Sequence, residues 1–391
     1  MTKFENPGRD QIAFCALETY SKVGGLQNFN RRVVINLAAG CADRTHAPPQ
    51  IILLRDGESF PDLAGKAVLV SCRGRLSYLI SVVKALTAGC RLLFIGHINL
   101  LPLALVARLL NPRIKLVLFV HGDEAWNDAL QRKKRWYEPT LLSTVDCIAS
   151  VSNFTAQTMA KEFGVEPNKF RLLPNAVDPI RRLSAAGNRA QPTILTVSRL
   201  GQRDRLKNVH QMIRAVAELR NAFPTIRYEI VGDGPMRKEL EALAGALGVS
   251  DIVHFLGRLT DQELDEAYSR ATVFALPSSK EGFGIVYLEA WQRALPVICS
   301  SAGASKEIVS DGIDGFVVNP GNVSEITNRL HQLLSRPELA ASMGESGRQK
   351  VDANYMNDTF RSNLDKIVTE LLADQSHPSA GALMSQRTAL D

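Results

Sequence analysis

The sequence predicts an α/β protein built as two successive halves, each around a parallel β-sheet. Short β-branched apolar runs alternate with longer helical patterns along the whole chain, which is the rhythm of parallel α/β architecture. The runs are near-continuously apolar rather than alternating, as strands covered on both faces must be. Between the halves, Leu173-Pro-Asn-Ala-Val-Asp-Pro-Ile-Arg-Arg-Leu-Ser-Ala-Ala-Gly-Asn-Arg-Ala-Gln-Pro192 brackets a small, polar segment with prolines, the composition of a domain linker.

In the first half the predicted strands are Ile12–Ala16, Ile51–Leu54, Ala67–Ser71, Leu92–Ile95, Leu116–Val120, Cys147–Val151 and a short Arg171–Leu173. In the second they are Thr193–Val197, Arg227–Val231, Ile252–Phe255, Val273–Leu276, Val297–Ser300 and Gly315–Val318. A first domain over residues 1–175, a linker over 176–192 and a second domain over 193–353 follow. A helical pattern covers 354–372, and the Ser-, His-, Pro- and Gly-containing tail over 373–391 is expected to be disordered.

A chain of 391 residues, 45% hydrophobic and 22% charged, is long enough for two domains with buried cores. The longest apolar stretch, Ile95 to Leu110, is broken by His97, Asn99 and Arg108, too short and too polar to span a bilayer. Met-Thr-Lys-Phe-Glu-Asn-Pro has no apolar signal region, so export is not expected. Six scattered cysteines without a Cys-x-x-Cys pair read as buried thiols of a reducing compartment, and the cytoplasm is the expected location. No cluster has metal-ligand spacing, so neither a metal nor another cofactor is expected. The charge is asymmetric. Residues 1–190 hold 25 Lys and Arg against 15 Asp and Glu, whereas residues 191–391 hold 21 against 25. The first half therefore suits an anionic partner.

The most informative stretch is Ser278-Ser-Lys-Glu281-Gly-Phe283-Gly284-Ile-Val-Tyr-Leu-Glu289. Pro277 stops the preceding strand and an apolar helical run starts at Ile285. Glu281 thus lies at a strand's carboxyl end, where open α/β sheets bind ligands. The amides of Phe283 and Gly284 become free donors of a helix N-terminus. The bare spacing also fits a strand, loop and helix with two solvated glutamates.

With Glu-Gly-Phe-Gly in this context, the stretch resembles the Glu-x7-Glu signature of retaining glycosyltransferases with two Rossmann-like domains, the GT-B fold, and in particular glycosyltransferase family 4. The resemblance runs from Phe14 to about Leu371. It implies that Glu281 and the amides of Phe283 and Gly284 hold the donor sugar and that Glu289 holds the ribose. It also implies that the helix over 354–372 crosses back to the first domain.

Further stretches resemble the same family. Ser198-Arg199-Leu-Gly-Gln-Arg203-Asp-Arg205-Leu-Lys207 follows a strand, and fixed cations beside a helix N-terminus suit a diphosphate. By themselves these residues fit a solvated basic loop, with Arg203 and Arg205 equal candidates; the resemblance assigns the diphosphate to Arg199 and Lys207. Val231-Gly232-Asp-Gly-Pro235 is a turn that matches the family's element beside the nucleotide, and backbone near Arg258 is expected at the base. Gly24-Gly25 after the first strand resembles the loop facing the donor phosphates. Its spacing is not that of a dinucleotide-binding Gly-x-Gly-x-x-Gly, which argues against a nicotinamide enzyme. His121-Gly-Asp-Glu124-Ala-Trp126 resembles the acceptor-side element, with His121 near the donor sugar and Glu124 beside it. His97 follows a strand and fits either the acceptor cleft or a helix cap. Ser301-Ala-Gly-Ala-Ser-Lys-Glu-Ile-Val reads as turns of the pocket wall.

Arg132, Lys133, Lys134, Arg135 and Trp136 form the sharpest basic-aromatic cluster. It reads as a solvated face or as a patch docking on anionic lipid; no nucleic-acid reading motif accompanies it.

The implied activity is a retaining hexosyl transfer by front-face substitution, with Glu281, His121, Arg199 and Lys207 at the reacting centre. The Ser-Arg-Leu-x6-Lys and His-Gly-x-Glu-x-Trp patterns most resemble bacterial exopolysaccharide mannosyltransferases. This implies GDP-mannose as donor, a polyprenyl-diphosphate-linked saccharide as acceptor, and a place on the inner face of the plasma membrane. UDP-glucose or another UDP-sugar is the alternative donor. A nucleotide-sugar epimerase and a non-catalytic, membrane-docked assembly subunit are the alternative functions.

Overall fold

A computed structural model describes residues 11–22, 24–43, 47–57, 63, 65–128, 132–180 and 191–373. Most of the predicted linker and the tail from 374 lie outside the described residues.

The first sheet carries β1 (Gln11–Ala16), α1 (Gly25–Asp43), β2 (Gln50–Leu53), β3 (Val68–Ser71), α2 (Arg75–Thr87), β4 (Cys90–Ile95), α3 (Pro102–Leu110), β5 (Lys115–Val120), α4 (Glu138–Ser143), β6 (Cys147–Ser150), α5 (Asn153–Phe163) and β7 (Phe170–Leu172). The second carries β8 (Thr193–Val197), α6 (Val209–Leu219), β9 (Arg227–Val231), α7 (Arg237–Ala246), β10 (Val253–Gly257), α8 (Asp261–Arg270), β11 (Val273–Ala275), α9 (Ile285–Gln292), β12 (Val297–Ser300), α10 (Ser305–Ile308), β13 (Gly315–Val318), α11 (Val323–Ser335) and α12 (Pro337–Asn354). A last helix, α13 (Asn357–Ala373), follows. Every predicted strand is present, with ends displaced by a residue or two.

All strand pairs between neighbours are parallel. The orders are β3-β2-β1-β4-β5-β6-β7 and β10-β9-β8-β11-β12-β13. Both orders reverse between the first and fourth strands of their half, the doubly wound arrangement that opens a crevice at the strands' carboxyl ends. The two-sided apolar runs explain the layers. Ile12, Phe14, Phe94 and Phe119 pack on the side of α1 and α13, while Ala13, Cys15, Leu93 and Leu118 pack on the side of α2 to α5. The second sheet is filled likewise, with Tyr228, Ile230, Val273 and Ile298 buried against α6, α7 and α11.

The helical pattern over 354–372 divides differently from expectation. Asn354 ends α12, and α13 starts only at Asn357. Residues 355–356 break the helix because the backbone of Val177 joins there: its amide donates to the Tyr355 carbonyl at 2.9 Å, and Val177 bridges Met356. Beyond the break α13 lies on α1, with Phe360 edge-on to Phe29 at 5.4 Å.

The packing of α12 on α9 depends on two glycines without side chains. A Cβ on Gly347 would stand 2.0 Å from the indole of Trp291, and one on Gly344 2.0 Å from the Ala294 carbonyl oxygen. Trp291 is wholly buried and its indole N–H donates to the Asp314 carbonyl, so it has no room to yield. Gly347→Ala is therefore expected to destabilise the protein by about 1–3 kcal/mol, read as a lowered urea midpoint, whereas Gly25→Ala, at an open position, should leave the unfolding free energy within about 0.5 kcal/mol of wild type.

Candidate active site

The loop after β8 supplies Arg199 and Lys207, and the loop after β11 supplies Glu281, Phe283 and Gly284. These loops are stitched together. Asn208, in the left-handed region at φ 58°, donates its amide to the Pro277 carbonyl and to Ser279 Oγ, each at 2.7 Å, and the Ser279 amide donates to the Leu206 carbonyl at 2.7 Å. The result places Lys207 Nζ 2.6 Å from Glu281 Oε2, with both side chains largely buried. In a site of lowered polarity such a pair holds both groups in fixed directions.

The other cations of the loop differ. Arg199 is 80% exposed and reaches Asp204 at 3.1 Å, and Asp204 in turn accepts from the Gly201 amide. Arg205 is bound by both oxygens of Glu239, so it faces the α7 side. The adjoining turn needs its glycine. Gly232 has φ 127°, and a Cβ there would stand 1.8 Å from the Ser198 carbonyl oxygen; its amide donates to the Gly257 carbonyl at 2.7 Å. Arg258 follows directly at the exposed end of β10.

Past Glu281, Phe283 is buried against Tyr355 and offers the site only its backbone. Gly284 takes φ 98° at the start of α9. Among the described residues no acceptor meets the amides of Phe283, Gly284, Ile285 or Val286. Glu289, one turn into α9, accepts from the Tyr268 hydroxyl at 2.9 Å. Burial pushes its carboxyl above the usual carboxylate range, against the lowering effects of that hydroxyl and of Arg293.

The first domain closes the other wall. Gly24 and Gly25 stand at the N-terminus of α1, and after β1 Asp56 accepts from the amides of Thr19, Tyr20 and Ser21 at 2.7–3.0 Å. His121 follows β5, with its ring edge-on to Phe29 at 4.5 Å and its buried Nε2 without a partner among the described residues. Burial holds its pKa below the usual imidazole value, so the ring is neutral at pH 7. Asp123, exposed in the same loop, stands near enough to Lys207 and Arg199 for their charges to act on its carboxyl.

Three of the expected residues have partners within the protein, and for His97 these match one of its two expected roles. Glu124, placed on the acceptor side, is buried and accepts from the His121 amide at 2.7 Å; it shapes the His121 loop. His97 caps the following turn, its Nδ1 accepting from the Asn99 amide at 3.0 Å. Arg132 is not part of the exposed basic patch, because its guanidinium pairs with the fully buried Glu138. A buried carboxylate requires such a partner. Lys133, Lys134, Arg135 and Trp136 remain exposed.

With this geometry in view, the comparisons with known proteins are consistent. Residues 31–181 match the family model described as Glycosyltransferase Family 4, and residues 182–350 the one described as Glycosyl transferases group 1. A Mycolicibacterium smegmatis protein, GDP-mannose-dependent alpha-(1-6)-phosphatidylinositol monomannoside mannosyltransferase, is 32% identical over 296 residues, which are 68% of this chain and 74% of that protein. This chain belongs to glycosyltransferase family 4. A Corynebacterium glutamicum relative, GDP-mannose-dependent monoacylated alpha-(1-6)-phosphatidylinositol monomannoside mannosyltransferase, is 30% identical over 65% of this chain and 70% of its own. In fold, the sucrose-phosphate synthase of Thermosynechococcus elongatus superposes with a TM-score of 0.76 over 94% of this chain and all of its own, at 21% identity. The architecture is therefore GT-B and the protein a glycosyltransferase.

In this glycosyltransferase several structuring residues escape sequence reasoning. Asn208 and Asp56 act only through loops that the fold brings together. Ser152 and Thr155 donate from the start of α5 to the Gly282 carbonyl at 2.8 and 3.2 Å, and Glu307 accepts from the Asn153 and Phe154 amides at 2.9 and 2.5 Å. No local motif signals these pairings.

The His121 ring, with its Nε2 buried, carries a pH dependence. In the unfolded chain histidine binds a proton near pH 6.5, whereas the folded ring binds it only at lower pH. The unfolded state then holds more protons, so stability is lost as pH falls from 7 through the ordinary histidine range. Urea unfolding at pH 7 and pH 5 should show a smaller loss in His121→Gln than in wild type. Equal losses would mean that His121 titrates alike in both states.

Proposed function

We propose that this glycosyltransferase transfers mannose, with retention, from GDP-mannose to the hydroxyl of a lipid-linked saccharide at a membrane surface. The observation that carries this is the Lys207–Glu281 pair at the topological switch point of the second sheet, beside the open amides that begin α9. Lys207 and Arg199 would meet the diphosphate, Glu281 and the Phe283 and Gly284 amides the sugar, Glu289 the ribose, and Gly232 and Arg258 the side of the base. Gly24 and Gly25 would approach the phosphates from the first domain. His121 would lie against the sugar and orient the incoming hydroxyl.

In the proposed step the acceptor oxygen bonds to the anomeric carbon on the face from which the diphosphate departs. The bond from that carbon to the phosphate oxygen breaks with its electron pair, and the acceptor proton passes to the departing diphosphate. Stabilising the leaving charge and aligning the reactants would supply most of the acceleration. Because Lys207 already holds Glu281, a hydroxyl-binding role suits Glu281 better than covalent attack. The mannose donor is supported by the relatives, both of which are described as GDP-mannose-dependent.

A lipid-linked acceptor is supported by the surface of the first domain. No helix of the described residues is long and apolar enough to cross a membrane. Yet Leu76, Leu79 and Ile80 of α2 and Leu105, Leu109 and Leu110 of α3 are exposed on adjoining helices, with Arg73, Arg75 and Lys84 around them, and Trp136 is 91% exposed. Apolar side chains rimmed by cations suit an anionic lipid surface. The acceptor proposed is a polyprenyl-diphosphate-linked saccharide of a cell-surface polysaccharide, met on the cytoplasmic face. Vesicles containing phosphatidylglycerol should carry the protein down on sedimentation, less so at high salt and less so for Leu76→Asp/Leu109→Asp. Sedimentation equal with neutral vesicles would refute the charged surface.

Turnover tests the chemistry. GDP-mannose and UDP-glucose are supplied side by side with a lipid-linked saccharide extract, and GDP release with mannose on the lipid is expected. Lys207→Ala and Glu281→Ala should each lower kcat by about 10²–10³ while remaining folded. UDP release with glucose transfer would overturn the donor, and conversion of a UDP-sugar without acceptor would indicate an epimerase. Function unchanged by Glu281→Ala would indicate a non-catalytic subunit.

A further inference from the structure

Glu281 lies in the second domain, yet both of its sequence neighbours are held by the first. On the far side, the Gly282 carbonyl accepts from Ser152 and Thr155, and a Cβ at Gly282 would stand 2.2 Å from the His121 carbonyl oxygen. On the near side, Lys280 Nζ lies 2.5 Å from Asp128 Oδ2 and 4.6 Å from the centroid of the Trp126 ring. The lysine is 18% exposed and Trp126 is buried, so the ammonium is largely withdrawn from water, where a carboxylate and an aromatic face act most strongly on it. Asp128 is itself fixed by paired backbone hydrogen bonds with Arg132, at 3.0 and 2.8 Å.

From this we infer that Lys280 is a positioning residue: its seat on Asp128 and Trp126 of the first domain orients the adjacent Glu281 for the reaction. The inference rests on the reading of Glu281 as a donor-sugar residue. The second domain already holds Glu281 through Lys207 and through the Ala304 amide, which donates to its carbonyl at 2.9 Å. The seats of Lys280 and Gly282 add reference points on the opposite wall, so that Glu281 is set relative to the first domain as well as the second. Closure of the cleft and alignment of Glu281 thus become one event, and a misplacement of about 1 Å at such a site can cost on the order of 100-fold in rate.

Lys280→Met keeps the apolar stem on Trp126 and removes the charge; Asp128→Asn removes the partner from the other domain; Lys280→Arg restores a cation. Two readouts are taken on the full chain, with folding checked by circular dichroism. Amide hydrogen exchange over residues 278–288 requires no donor or acceptor. It should quicken in Lys280→Met and in Asp128→Asn, no further in the double variant, and return toward wild type in Lys280→Arg. Turnover with GDP-mannose should fall about 10- to 100-fold in kcat for either charge-removing variant, with KM for the donor within about threefold. Exchange unchanged in both single variants, or kcat within twofold of wild type, would overturn the positioning role. If wild type itself turns over neither donor, the proposed reaction fails while the exchange data alone still decide whether Lys280 holds the loop. Should one variant not fold, the other, altered in the opposite domain, decides alone.

Discussion

The contact on which this structure depends is the meeting of two backbones at Gly282. The strand-to-helix loop of the second domain touches the His121–Gly122 turn of the first so closely that neither Gly122 nor Gly282 has room for a Cβ: at each position it would stand within 3 Å of the other chain segment. Hydroxyls of Ser152 and Thr155 then satisfy the Gly282 carbonyl, which would otherwise be buried at a cost of about 1–3 kcal/mol. The contact fixes how the two crevices face each other. It thereby sets the His121 backbone beside the loop that carries Glu281 and its partner Lys207.

The proposed chemistry follows from the groups around that contact. Charged side chains are paired before any ligand arrives, Lys207 with Glu281 and Arg199 with Asp204, while several backbone amides remain open. Unpaired donors beside a helix start suit an anionic or hydroxyl-rich ligand. Glu289 and His121 are both held toward their neutral forms by burial.

Much of the fold was legible because its causes are local. Strands covered on both faces must be apolar throughout, and Thr193–Val197, Arg227–Val231, Val297–Ser300 and Gly315–Val318 stand as expected from that alone. Loop residues at strand ends, among them Glu281 and Lys207, were legible for the same reason: the strand that precedes them defines their place. What could not be read depends on tertiary partners. Arg132 belongs to a basic run in sequence and to a buried ion pair in space, since nothing in Glu138-Pro-Thr announces a buried carboxylate. Glu124 turns back on the His121 amide, and the break at 355–356 exists because Val177, far away in sequence, needs a backbone partner. Lys280, within the most informative motif, shows no role until Asp128 and Trp126 are seen beside it.

The proposed activity requires the second domain to bind a nucleoside diphosphate through Lys207 at the switch point. Calorimetric titration of GDP into the wild-type protein and Lys207→Met tests it without reference to acceptor or linkage. One GDP per chain is predicted, with affinity at least about tenfold weaker in the variant, the loss expected for a hydrogen bond to a charged group. Equal affinities in the two proteins, or no binding by the wild type, would contradict it.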